Sequence, residues 1–296
     1  MEQQIIDASK YKITIHSLDS RFSNMKDSSY SQFRVVTPYP IKNVVRVRLA
    51  SVELPLVEYI FSPSKGNTTI SVRLGFALKY VTTAHIPSGN YTASSLLSVV
   101  STLLQALHSG FNCTLDPISG IVSITNSTIV FAINFVSTNP SVARRTTHWG
   151  MGYYLGFRDR VITATPDPHR SGGFIVNGTS VCYVQPNPYY ILQLNCPDKA
   201  VNVMHRLDND TYIEAFAKLI LQDNYYQIQF DDSSNLMRKE QMFLSPVNIP
   251  FFEMRLLDPW GELVDMMESD WSLTLEITEI VNSKTYTEIS KTYRRN

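Results

Sequence analysis

The stretch FFEMRLLDPWGELVDMMESDWSLTLEITEI at 251–280 decides how the chain is read. Within 271–277, Trp271, Leu273, Leu275 and Ile277 alternate with Ser272, Thr274 and Glu276, the period of two of a strand with one buried face. Phe252, Met254 and Leu256 alternate in the same way with Glu253 and Arg255. Between the two runs, Asp258-Pro259-Trp260-Gly261 supplies the acid, the fixed φ and the terminal glycine of a type I turn. The segment is therefore expected to hold antiparallel strands that reverse at this turn and close a sheet.

Working outward, the same alternation recurs. Tyr11, Ile13 and Ile15 mark a first strand, 23–29 is a polar loop, and Phe33 and Val35 begin a second strand that Pro38 and Pro40 should stop. In 43–59 the apolar face is carried by Val45, Val47 and Leu49, then by Val52 and Leu54, so the phase slips near Ala50-Ser51 and predicts a β-bulge or bend there. Strands are expected at 69–73, 78–85, 111–115, 121–125, 129–135, 174–184, 189–195, 213–222 and 225–230. The spacing of Leu96, Leu97, Val99, Val100, Leu103, Leu104 and Leu107 predicts one helix at about 92–109, capped by Thr92 or Ser94 and ended by Gly110. The region 137–173, rich in Pro, Gly, Arg and His, reads as a long irregular insert. Many short strands and one helix give an all-β fold: a two-sheet sandwich of the jelly-roll kind with long loops. No linker or repeat divides the chain, so one domain is expected over 1–296, with its core at about 11–282, a polar lead at 1–10 and a flexible tail at 283–296.

Composition narrows the function. With 26 basic and 26 acidic side chains the formal net charge is +0, which provides no overall field toward nucleic acid or an anionic membrane. The N-terminus has no apolar signal region, and the most apolar run, at 129–136, is far short of the roughly 20 residues of a membrane helix, so no membrane span is expected. The three cysteines, Cys113, Cys182 and Cys196, form no CxxC pair and fit a reduced compartment. The sequons at Asn67, Asn90, Asn112, Asn126, Asn177 and Asn209 read as turn asparagines followed by strand residues.

Reactive chemistry has little footing. Gly150-Met151-Gly152 neither follows a strand into a helix nor completes a dinucleotide loop, and no P-loop exists. The six histidines, His16, His85, His108, His148, His169 and His205, include no HExxH and no H-x-D/E pair, so no metal site and no cofactor is expected. Asp231-Asp232 and Glu268 with Asp270 are acid pairs of the type a glycosidase needs, but they read as turn acids. The basic pairs at Arg144-Arg145, Arg158/Arg160, Arg238-Lys239 and Arg294-Arg295 are not interleaved with aromatics, and protein contact or solvation suits them better than nucleic acid. Trp149, Tyr153-Tyr154 and Tyr189-Tyr190 leave a carbohydrate-binding sandwich as a reading of another class.

Several short motifs then occur in a characteristic order. They are LDSRF at 18–22, Tyr30-x-x-Phe33, IKNVVRVRLASVELP at 41–55, IPSGNY at 86–91 leading into a helix, LGF at 155–157, FAKL at 216–219 and LLDPWG at 256–261. In this order, over about 12–280, the chain resembles the small jelly-roll capsid proteins of nucleocytoplasmic large DNA viruses, among them vertex pentons and minor capsid proteins. The resemblance implies a non-enzymatic virion protein in an icosahedral shell, assembled in the reduced interior of the host cell. A penton would form a homopentamer at the five-fold vertices beside the major capsid protein and other minor capsid proteins; the alternative is a minor capsid protein beneath or between capsomers. The motif residues it marks are fold determinants: Asp19, Arg21 and Phe22, then Pro87, Gly89 and Tyr91, then Asp258, Pro259 and Gly261.

Overall fold

The computed structural model describes residues 11–27, 30–75, 80–135, 150–159, 161–195, 203–206, 212–222, 225–231 and 239–281. The architecture is all-β, with sandwich-like sheets and one long helix, as a jelly-roll reading expects. The chain packs as two compact units: unit 1 is Met1–Glu58 with Asn187–Asn296, and unit 2 is Tyr59–Pro186. The joints carry no Gly/Ser linker, which is why the sequence pattern reads as one domain.

Unit 1 is built on β3 (Gln32–Pro55). In its eight-stranded sheet β1 (Tyr11–Asp19), β18 (Ser272–Ile280), β3, β17 (Glu240–Leu257), β12 (Tyr189–Asn195) and β15 (Ala217–Ile220) lie in that order. Two further strands, β2 (Met25–Lys26) and β16 (Ile228–Asp231), also pair with β3, so the polar run at 23–29 is not wholly a loop. A separate hairpin joins β13 (Val203–Arg206) to β14 (Tyr212–Ala215). The strands of 251–280 are not neighbours, contrary to the simplest reading of their turn. Both pair antiparallel with β3, which lies between them, so β17 and β18 run parallel to each other. The reason is that β3 runs for 24 residues and has two edges whose N–H and C=O groups need partners.

The predicted phase slip is a bulge. Leu275 pairs with Leu49 and Thr274 with Ser51, so Ala50 has no opposite number. That extra residue keeps Val47, Leu49, Val52 and Leu54 all on the buried face, against Leu273, Leu275 and Ile277. The prolines do not stop the strand. Ile41 pairs with Ile249 and Val36 with Phe251, so no β17 partner is registered to 37–40 and the missing N–H groups of Pro38 and Pro40 break no ladder there. Thr37 Oγ1 instead donates to the Pro250 carbonyl at 2.9 Å. The expected strand at 213–222 is broken at Phe216, whose N–H turns to the Leu192 carbonyl, and that expected at 225–230 begins only at Ile228.

Unit 2 holds two four-stranded sheets. One has the order β5 (Tyr80–His85), β4 (Thr69–Leu74), β8 (Phe131–Asn134) and β9 (Val161–Thr163); the other has β10 (Thr165–Pro166), β11 (Phe174–Asn177), β7 (Val122–Asn126) and β6 (Phe111–Leu115). The Phe111 ring meets the Phe131 ring edge-on at 4.9 Å and so ties the two sheets. The helix α1 (Ala93–Leu107) starts with Thr92 accepting from the Ser95 N–H in a capping box, and buries Leu96, Leu97, Val100 and Leu104. A second, short helix, α2 (Met151–Leu155), lies inside the stretch read as irregular. It follows Gly150 and ends on Gly156, both at positive φ, where an added methyl would overlap the carbonyl oxygens of Phe135 and Ser180 respectively. The strand expected over 174–184 ends at Asn177, because Gly178, Thr179 and Ser180 turn their N–H groups to Val122 and Gly156.

Candidate functional site

The first motif ends β1. Asp19 stays extended while 20–22 form a 3-10 turn, and its Oδ1 accepts the Arg21 N–H at 2.9 Å. Arg21 Nη2 closes on Asp19 Oδ2 at 2.6 Å, and its guanidinium lies 5.7 Å from the Phe22 ring, which is 78% exposed. Beside this turn is a cleft of about 420 Å³ lined by Asp19, Arg21, Glu53, Ile228, Asp270 and Ser272, among others. Register explains the convergence. Asp19 pairs with Ser272, Ser272 with Glu53, and Glu53 with Phe230, so all four belong to one face of neighbouring strands.

Three carboxylates meet here, each supplied with donors. Glu53 accepts from Ser51 Oγ at 2.9 Å and Ser272 Oγ at 2.6 Å, and Asp270 from Ser20 Oγ at 2.5 Å and Lys26 Nζ at 2.9 Å. The Arg21 hydrogen bonds hold the Asp19 carboxyl below the usual range, and the Ser20 and Lys26 hydrogen bonds do the same for Asp270. A glycosidase pair needs one acid held protonated near neutrality, and these two are held ionised. Glu268 is at positive φ, Asp231 ends β16, and Asp232 lies outside the described residues.

The other motifs shape turns. Asp258 Oδ1 accepts the N–H groups of Trp260 at 2.8 Å and Glu262 at 3.0 Å, its carbonyl accepts Gly261 N–H at 3.0 Å, and Gly261 sits at φ 85°. Pro259 falls between them at the position whose φ proline fixes. In 86–91, Tyr91 Oη donates to the Pro87 carbonyl at 2.7 Å, Gly89 exchanges backbone bonds with Phe61, and the Tyr91 ring lies edge-on to Phe61 at 5.5 Å.

The remaining candidates do not gather. Among the described residues no group of three or more His, Cys, Asp or Glu could hold a metal, and no helix is long and apolar enough to cross a membrane. Burial lowers the pKa of His16, and His108 faces Asn126 Nδ2 through Nδ1 at 3.2 Å. Burial pushes the Cys113 thiol up to about 12 and raises Cys182, so neither is a ready thiolate. Cys196, His148, Trp149, the basic pairs 144–145 and 294–295, and Arg160 and Arg238 lie outside the described residues. Arg158 donates to the Tyr153 carbonyl at 2.7 Å and covers its ring, Tyr154 packs on Phe61, and Tyr190 is buried, so these tyrosines form no open platform. The sequons are not uniformly turn asparagines: Asn67 is a buried loop residue that accepts the Ser62 N–H and donates to the Ile60 carbonyl, whereas Asn112, Asn126 and Asn177 lie in β6, β7 and β11, the buried Asn126 side chain accepting from Thr128 and Ile129 N–H, and Asn209 lies outside the described residues. The pairs Ser20–Asp270 and Ser272–Glu53 escape sequence reading, because period-two parity marks which side chains are polar-facing but not which distant strand lies opposite.

No family model and no curated protein matches the chain. Among solved structures it is similar to the crystal structure of a mavirus penton protein, at 10% identity and a TM-score of 0.46, over 90% of this chain and 99% of that one. Likeness at that level assigns no function to the chain.

Proposed function

We propose that the chain is a structural subunit of a viral capsid, with no catalytic role, and that it is the penton: a homopentamer at the five-fold vertices, meeting the major capsid protein and other minor capsid proteins in the virion. In this reading Asp19, Arg21, Phe22, Pro87, Gly89, Tyr91, Asp258, Pro259 and Gly261 are fold determinants. The ordered motifs of the sequence support it, and so does the use to which their polar groups are put: each carboxylate of the cleft is engaged within the chain.

The observation that carries assembly is β1. Among the described residues it is the outermost strand of its sheet, and Tyr11, Ile13 and Ile15 stand exposed at 47, 46 and 62% along one side of it. An apolar edge strand of this kind invites another chain, and head-to-tail use of such a surface by identical copies closes a ring. Sedimentation of the full-length protein over a range of concentrations tests it. A species of five times the 33.6 kDa chain mass is expected. The double variant Ile13→Lys/Ile15→Lys, altered only at exposed positions, is expected to remain folded and shift to the single-chain mass. A wild-type protein that stays monomeric at high concentration would contradict the pentamer.

A further inference from the structure

The chain leaves unit 1 at Glu58 and re-enters it at Asn187. Glu58 is only 7% exposed, although a buried carboxylate is costly unless it is fully engaged. Its Oε2 accepts the Tyr190 hydroxyl at 3.0 Å and lies 3.5 Å from Asn187 Nδ2, partners 132 and 129 residues away in the chain. Tyr190 is itself buried in the unit 1 core, in the same cluster as Leu56 and Leu192, with its hydroxyl turned to the carboxylate. Both strands at the joint are also anchored by backbone bonds inside unit 1. Leu56 exchanges bonds with Gln227 and Tyr226 at 2.9 Å, and the Pro188 carbonyl accepts Leu221 N–H at 3.0 Å.

We propose that Glu58 is a clasp across the base of the insertion, keeping unit 1 folded when unit 2 opens. The physical basis is that the two ends of 59–186 are tied to each other by contacts within unit 1. When a folded insertion melts, it becomes a long loop, and the entropy of holding a loop's ends together grows only slowly with its length. Unit 1 also keeps its own core: every buried residue of the cluster around Phe33, Leu54, Phe252 and Leu275 lies outside 59–186. Unit 2 can therefore undergo local opening as a separate cooperative element, provided the clasp holds.

Amide hydrogen exchange on the full-length chain tests this. The variant Gly150→Ala/Gly156→Ala, whose added methyls overlap carbonyl oxygens within unit 2, opens that unit selectively. Exchange in 69–74 and 131–134 should rise at least tenfold, while 44–56, 247–257 and 272–280 stay within about twofold of wild type. Adding Glu58→Ala should carry a tenfold loss of protection into 52–56 and 189–195, and adding Glu58→Gln, which keeps an acceptor oxygen for Tyr190, should restore most of it. If Glu58→Ala unfolds the whole chain, Tyr190→Phe, which removes only the donor, serves in its place and should give a partial loss in the same peptides. The proposal is overturned if unit 1 loses protection together with unit 2 in the glycine variant, or if the Glu58 and Tyr190 variants leave 52–56 and 189–195 as protected as their parent.

Discussion

Ser20 Oγ donates to Asp270 Oδ1 at 2.5 Å and accepts the Trp271 N–H at 3.1 Å, fastening the end of β1 to the start of β18 across 250 residues of chain. Ser20 is fully buried, and its own N–H bonds the Trp271 carbonyl at 3.0 Å. Ser20→Ala leaves the Trp271 N–H without its acceptor, at a cost of about 1–3 kcal/mol. The loss should appear as a lower urea midpoint with an unchanged slope.

The acid limb of stability should belong partly to Asp19 and Asp270. Both carboxyls are held below their ordinary values in the folded chain, by Arg21 on one and by Ser20 and Lys26 on the other. A depressed folded pKa stabilises above the unfolded value, about 3.9 for Asp, and that contribution is lost as pH falls through the folded value. Urea unfolding from about pH 6 down to about pH 2 should therefore fall off below about pH 4 in the wild type, and less steeply in Asp19→Asn/Asp270→Asn.

Deleting Ala50 removes the extra residue, so that Leu49, Ser51 and Val52 follow one another in regular register against Leu275, Thr274 and Leu273, and Val52 and Leu54 stay on the core face. The deletion should therefore leave unit 1 folded, seen as retained near-ultraviolet dichroism of buried Trp271, and loss of that signal would contradict the bulge assignment. Ala50→Gly keeps the residue count and should cost only about 1 kcal/mol.

That bulge shows what alternation alone can reveal. A strand whose apolar residues change parity between Leu49 and Val52 can keep them in one core only by absorbing a residue, so its position was legible before any partner was known. The hairpin of β6 and β7 and the Thr92 cap of α1 were legible for the same reason, since their signals are local. Strand order was not. The turn at Asp258 marks a reversal, yet whether β17 pairs with β18 or with a strand more than 200 residues earlier depends on which edge β3 offers. Proline misleads for a related reason: Pro38 and Pro40 block a ladder only where β17 is in register. The cleft depends on register across β1, β18, β3 and β16, so its members carry no common signature in the sequence.

The glycines of unit 2 separate two costs. Gly156→Ala places a methyl against the Ser180 carbonyl at φ 87° and should cost several kcal/mol, on the order of an overpacked core site with added backbone strain. Gly172 has a similar φ of 75° with nothing within 4 Å, so Gly172→Ala should cost only about 1–2 kcal/mol, the backbone term alone. Thermal unfolding of the two variants beside the wild type checks the difference.

A cryo-electron microscopy map of icosahedral particles purified from cells that make this chain tests the proposed shell role most directly. Five copies of the eight-stranded sheet of unit 1 around each five-fold axis are the predicted result. Particles whose shell is complete without density for this chain would contradict it.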